Sequence, residues 1–212
     1  MTPRFSNILF DFDGTLCNSE EGILKCVGHA LAAMGEPPLP RERMRRFIGP
    51  ALYLSFLNEA GLTPERADEA VKIYRSRYIP VGIYECELYA GIYGLLDRLK
   101  RAGARLCIAS AKPQQSVERA AAHLGIDGFF ERIVGAPPDV KQNEKDAYLR
   151  AARLSGDAVM VGDAPFDIRA AKATGMASAA VTYGFFSPDE LKALGPDFMA
   201  DSPAELEKIL LA

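Results

Sequence analysis

Asp11 and Asp13 stand one residue apart at the end of the apolar run Ile8-Leu9-Phe10, and Gly14 and Thr15 follow directly. Residues i and i+2 of an extended segment point the same way, so both carboxylates start out facing one pocket. Two like charges held that close are costly unless a cation or a shared proton offsets their repulsion. A divalent metal, and a reaction that uses both carboxylates, would explain the pair. Taken alone, a DxD step is more often a strand running into an acidic turn, its aspartates bonding to nearby backbone.

Other candidates lie far away in the chain. Asp163 and Asp167, four residues apart, bridge a strand end and a helix start. Either could cap that helix or sit at the positive end of its dipole. Beside Asp11 and Asp13 they read instead as an oxygen-rich site of the kind magnesium takes. Ser110 follows the apolar Leu106-Cys-Ile-Ala109 and precedes a helix, where it could cap the helix or bind a phosphoryl oxygen with nearby N–H groups. Two lysines, Lys141 and Lys145, could grip phosphate. Counting from Lys145, Tyr148, Leu149, Ala151 and Ala152 form an apolar helix face, whereas counting from Lys141 puts Glu144 and Lys145 there, so the register favours Lys145. In the basic run Arg41–Arg46, Arg41 and Arg43 read as solvated, and Arg46, before Phe47-Ile-Gly49-Pro50, could fork onto an anionic substrate. The two histidines, His29 and His123, lie in Ala-rich helical patterns, which leaves acid–base work to carboxylates, lysine or tyrosine.

These residues need a scaffold that gathers them. Residues 5–12 read as a strand. The stretch 18–84 then turns helical, with helices expected over 21–34, 51–60 and 64–79, Thr63 capping the last, and no convincing strand. After Gly91, helices 92–101, 114–124, 145–154 and 166–174 alternate with short apolar strands 104–110, 132–135, 158–162 and 177–182. That alternation indicates a parallel sheet covered on both faces. The expected fold is α/β: a three-layer, Rossmann-like parallel-sheet core (1–16 and 87–212) with an all-helical insertion (17–86). Ligands of such sheets bind outside the carboxyl ends of the strands, where Asp11, Asp13, Ser110, Asp163 and Asp167 all fall.

Composition narrows the function. The chain has 212 residues, 49% apolar and 25% charged, with a formal charge of −3, which argues against a nucleic-acid partner. Met-Thr-Pro-Arg runs straight into the first strand with no room for a signal peptide, and no apolar stretch approaches a membrane span. Four scattered cysteines (Cys17, Cys26, Cys86, Cys107) without a CxxC pair read as reduced packing thiols in a cytoplasmic protein rather than a zinc site.

Together the motifs resemble the haloacid dehalogenase-like (HAD) hydrolase superfamily: Asp11-Phe-Asp13-Gly14-Thr15-Leu, Ser110, Lys145, and Gly162-Asp163-Ala-Pro-Phe-Asp167. Phe47-Ile-Gly49-Pro50 and Thr182-Tyr-Gly-Phe185 resemble segments of its phosphoglycolate phosphatase-like group. The resemblance implies that the helical insertion is a cap, that Asp11 is a nucleophile forming an aspartyl-phosphate, and that Asp13 is the acid and base. It implies Mg2+ held by Asp11, the Asp13 carbonyl and Asp163, with Asp167 in support, and phosphoryl contacts from Ser110 and Lys145. Gly14, Thr15, Ala111, Arg46 and Gly49 are the implied substrate-binding positions. Ala111 stands where this family often has asparagine, and the segment before Asp163 is shorter than expected. The implied activity is magnesium-dependent hydrolysis of a small phosphomonoester, phosphoglycolate-like or a nucleoside monophosphate. A sugar-phosphate mutase and a non-catalytic phosphate-binding module are the competing functions, while Asp13 disfavours dehalogenation. Nothing in the sequence indicates the oligomeric state.

Overall fold

The computed structural model describes residues 2–138, 140–142 and 144–211. Its centre is β1 (Asn7–Phe10), buried along its whole length. β2 (Cys17–Asn18) leads into the helices α1 (Glu20–Ala33), α2 (Arg41–Arg45), α3 (Leu52–Asn58) and α4 (Pro64–Tyr78), and β3 (Glu87–Leu88) leads out of them. The chain then alternates through α5 (Ile92–Arg101), β4 (Arg105–Pro113), α6 (Gln114–His123), β5 (Phe130–Ala136), α7 (Lys145–Ala152), β6 (Ala158–Gly162), α8 (Pro165–Ala173) and β7 (Ala177–Val181). It closes with α9 (Pro188–Ala193), β8 (Phe198–Ala200) and α10 (Pro203–Leu210).

Six strands form one parallel sheet in the order β5-β4-β1-β6-β7-β8. The side chains of β1 divide between two cores because successive residues face opposite sides. Ile8 and Phe10 join Leu106, Ile108, Leu95, Leu99, Val117 and Leu206 on one face. Leu9 joins Cys107, Met160, Leu149 and Ala171 on the other. Both faces are therefore covered by helices, giving the three layers expected from the alternating pattern. Because β1 has β4 on one side and β6 on the other, its carboxyl end lies at the point where the strand order reverses.

The helices between β2 and β3 pack on one another, α1 and α3 both against α4. Their aromatic contacts include Phe47 edge-on to Phe56 at 5.0 Å and Tyr74 stacked on Tyr78 at 5.1 Å. The Thr63 hydroxyl accepts from the Arg66 N–H and caps α4. The segment enters and leaves through one antiparallel ribbon, Cys17 opposite Leu88 and Asn18 opposite Glu87.

Several elements differ from the expectations. β2 and β3 pair over two residues each, too short to leave a periodic signal. Arg41–Arg45 forms a helix of five residues with no buried face, which the apolar pattern could not mark. β4 runs past Ser110 to Pro113, through a bulge opposite β5. Beyond residue 182, β8 completes the sheet edge, and α10 packs against α5.

Candidate active site

The loop after β1 is tight: the Phe12 carbonyl accepts from the N–H groups of Leu16 and Cys17, and the Gly14 N–H donates to the Cys17 carbonyl. Gly14 has φ +84°, and a Cβ there would lie 2.2 Å from Asp163 Oδ2, so the turn needs glycine on both counts. Phe12 is turned wholly into the core, which leaves Asp11 and Asp13 on the open side.

Asp11 is met by Lys145, the first residue of α7, whose ammonium lies 2.7 Å from Asp11 Oδ1 and 2.9 Å from Asp167 Oδ1. The lysine side chain is only 5% exposed. Burial works against its charge, but the two carboxylates outweigh that and hold its pKa above the ordinary value. Asp167, at the start of α8, accepts the Ala164 N–H on Oδ2 at 3.1 Å. Its Oδ1 is paired with Lys145 without hydrogen-bond alignment, so it remains an open buried acceptor. One lysine shared between two carboxylates does not neutralise both: burial, helped by Asp11, pushes Asp167 up to about 7 against the pull of Lys145.

Asp163, at the end of β6, is buried and does not border the cavity. Its Oδ1 accepts from the Thr15 hydroxyl at 3.2 Å and its Oδ2 from the Phe185 N–H at 2.8 Å. Burial, then the charges of Asp11 and Asp167, raise its pKa well above the carboxylate range. One ligand oxygen from each of Asp11, Asp163 and Asp167 falls within 4.8 Å of the others. At that spacing or closer, and an effective dielectric near ~20, each charge pair would repel by at least roughly 3.5 kcal/mol. Three buried oxygen donors, one with an open acceptor, fit a hard divalent cation.

Asp13 faces Lys112, whose ammonium lies 2.9 and 3.0 Å from its two oxygens. Ser110 is buried beside them, and its hydroxyl accepts the Lys112 N–H at 3.3 Å, leaving its own proton free to donate. A cavity of about 740 Å³ opens above these groups. Its floor includes Asp11, Asp13, Ser110, Ala111, Lys112, Lys145 and Asp167, and its far wall Phe47, Gly49, Tyr53, Tyr74, Tyr78 and Ile83.

The structure thus gathers Asp11, Asp13, Ser110, Ala111, Lys145 and Asp167 on one cavity, with Gly49 across it. Gly14 and Thr15 sit against Asp163 instead, away from the cavity wall. Arg46 also lies off the cavity, with a side chain 71% exposed and 3.6 Å from Glu59. Lys141 lies at the rim, paired with Asp68 at 2.7 Å and 4.0 Å from the Tyr53 ring centroid. Two contributors were given no role by the sequence: Lys112, which stands there at a strand end in Ser110-Ala111-Lys112, and the Phe185 amide. Gly184, where a Cβ would stand 2.3 Å from Asp163 Cβ, lets the Phe185 amide approach.

A family model described as haloacid dehalogenase-like hydrolase matches residues 8–181. A 5'-nucleotidase of Pseudomonas aeruginosa is 37% identical, over 98% of this chain and 96% of its own. The pyrophosphatase PpaX of Bacillus velezensis is 34% identical, over 96% of this chain and 95% of its own. The crystal structure of a protein from Clostridium acetobutylicum, described as a predicted phosphatase, superposes with a TM-score of 0.90 at 33% identity, covering 97% of both chains.

Proposed function

Since the chain belongs to the haloacid dehalogenase-like hydrolase family and is a phosphate-ester hydrolase of it, we propose that it is a magnesium-dependent phosphatase acting on nucleoside 5'-monophosphates through an aspartyl-phosphate on Asp11. The observation that carries this reading is the Lys145 ammonium between Asp11 and Asp167 at the floor of the cavity, two carboxylates that cluster with Asp163. A carboxylate nucleophile, a fixed cation and an oxygen cluster for a metal are what positioning and charge neutralisation in phosphoryl transfer require.

Asp11 attacks phosphorus, the phosphorus–oxygen bond to the alcohol breaks, and the leaving oxygen takes a proton from Asp13. Water then attacks the aspartyl-phosphate, gives a proton to Asp13, and the Asp11–phosphorus bond breaks, so that ester and water become alcohol and phosphate. Lys145 and the Ser110 hydroxyl hold the phosphoryl oxygens, whose charge grows as the bonds exchange. Asp11, the Asp13 carbonyl and Asp163, with Asp167 beside them, would hold magnesium, which would supply further neutralisation of those oxygens.

Residues 17–86 act in this reading as a cap over the core formed by 1–16 and 87–212, hinged at the β2–β3 ribbon. The cap's aromatic wall and the cavity volume favour a nucleoside over the two-carbon chain of phosphoglycolate, in keeping with the name of the Pseudomonas relative. Among the described residues no helix is long and apolar enough to cross a membrane. The four free cysteines fit a reducing compartment such as the cytoplasm.

Phosphate release from nucleoside monophosphates, phosphoglycolate, pyrophosphate and p-nitrophenyl phosphate, with magnesium or with EDTA, tests the proposal. Nucleoside monophosphates should exceed phosphoglycolate in kcat/KM by about tenfold or more, in line with a cavity worth ~1–3 kcal/mol of discrimination. Release that is indifferent to EDTA, or no release from any ester, overturns it.

A further inference from the structure

Strand β4 departs from its ladder just where the site needs it. Ala109 pairs with Val134, and the next pair is Pro113 with Ala136, four steps along β4 against two along β5. Such a bulge re-aims the side chains it carries, here Ser110 and Lys112. Its neighbours are shaped to hold it. A Cβ on Gly135 would lie 2.7 Å from both the Lys112 carbonyl oxygen and Gln114 Cα, so glycine alone permits the close approach. The Gln114 side chain accepts the Gly135 N–H at 2.6 Å and donates to the Ile133 carbonyl at 2.8 Å, replacing bonds the bulge gives up.

Lys112 leaves this bulge with its ammonium against both Asp13 oxygens, and its side chain is 4% exposed. The Phe12 ring centroid lies 5.6 Å from the nitrogen on one side. The Tyr78 ring, from the last residue of α4, lies 5.2 Å away on another. A buried ammonium is costly without a partner, and Asp13 is the carboxylate that faces it. The helical segment thus shields from water a lysine that belongs to the sheet, and that lysine holds the carboxyl group assigned to proton transfer.

We propose that Lys112 is a positioning residue for Asp13, clamping its carboxyl group beneath Tyr78 in the orientation that serves both proton transfers. The inference rests on the phosphatase reading above. In the first step the Asp13 proton passes to the leaving oxygen as the bond from that oxygen to phosphorus breaks. In the second, the Asp13 carboxylate takes a proton from the attacking water as the Asp11–phosphorus bond breaks. Lys112 itself neither gives nor takes a proton in this cycle.

A leaving group that needs no proton separates the two steps. With Lys112→Met, kcat for a nucleoside monophosphate should fall about a hundredfold, the low end of what general acid–base catalysis contributes, with KM little changed. With p-nitrophenyl phosphate, whose nitrophenolate leaves unprotonated, the first turnover should stay close to the parent rate. A stoichiometric burst of nitrophenolate should then precede slow release of phosphate, because hydrolysis of the intermediate still needs Asp13. Lys112→Arg, which keeps the charge, should recover part of the nucleotide activity. Lys112→Gln retains a hydrogen-bond donor and serves if the methionine variant does not fold; it should show the same split at smaller amplitude. Equal losses on both esters without a burst, or unchanged kinetics, overturn the inference. A parent protein that hydrolyses no ester overturns the phosphatase reading instead.

Discussion

The Lys145 ammonium lies 2.7 Å from Asp11 Oδ1, across 134 residues of sequence. The contact exists because β1 ends and α7 begins on the same rim of the sheet. It places a fixed cation where phosphoryl charge would gather, and it sets the terms for four predictions.

Asp11→Asn should abolish turnover with every ester, since an amide cannot form the aspartyl-phosphate. The substitution keeps size and shape, so the thermal melt should remain cooperative. Retained turnover in a folded variant eliminates Asp11 as the nucleophile.

Removing Lys145 strips a cation from between two buried carboxylates. Lys145→Met should cost about 3 kcal/mol in denaturant unfolding of the metal-free protein, because breaking a buried pair leaves charge without compensation. Lys141→Ala, whose partner Asp68 is half-exposed, should cost less than about 1 kcal/mol. Equal losses for the two variants would contradict the assignment of Lys145 to the floor of the site.

A side chain at Gly184 would press on Asp163, because its Cβ would stand 2.3 Å from Asp163 Cβ. Gly184→Ala should destabilise the fold by about 1–3 kcal/mol through overpacking. It should also raise the magnesium concentration needed for half-maximal activity, by moving Asp163. Gly28→Ala, in α1 with open space at Cβ, is the control; it should stabilise by up to ~1 kcal/mol and leave the magnesium requirement alone. A magnesium requirement that Gly184→Ala does not shift would remove Asp163 from the metal site.

The acidic cluster makes stability depend on pH with a definite sign. Asp167 is pushed up to about 7 and Asp163 is raised as well, whereas both titrate near ~4 in an unfolded chain. Between these values the native state holds protons that the unfolded chain has released. The contribution of Asp167 is therefore fully present below about pH 4 and is lost as pH rises through about 7, and that of Asp163 has the same sign. Magnesium would bind the ionised carboxylates, so its stabilising effect should grow over the same interval. Melting temperatures at about pH 5 and about pH 8, with magnesium or EDTA, measure this directly. In Asp167→Asn the EDTA profile should flatten; a magnesium shift of equal size at both pH values would refute the linkage.

The legibility of the site followed the range of the interactions involved. Asp11, Asp13 and Asp163 were readable because each follows the end of an apolar strand, and strand ends of a parallel sheet share one rim; Asp167 was readable at the start of the helix that follows Asp163. Lys145 was readable from helical register, since a lysine heading an apolar face must point where that face begins. Arg46 had the right charge for a substrate contact, but from the end of α2 its side chain lies toward Glu59 and solvent. Thr15 and Gly14 lie in the right loop, yet they face Asp163.

The sequence by itself determined the alternating α/β pattern, the helical insertion and the four carboxylates, because strand and helix periodicities and turn residues act over a few positions. Tertiary structure alone decided that Lys112 meets Asp13 and that the Phe185 amide meets Asp163. Both contacts depend on where separate segments come to rest: a bulge in β4 opposite Gly135, an aromatic ring at the end of α4, and a glycine packed on a carboxylate. No local pattern encodes such a meeting, since its energy arises from burial and charge pairing that exist only once the layers have closed.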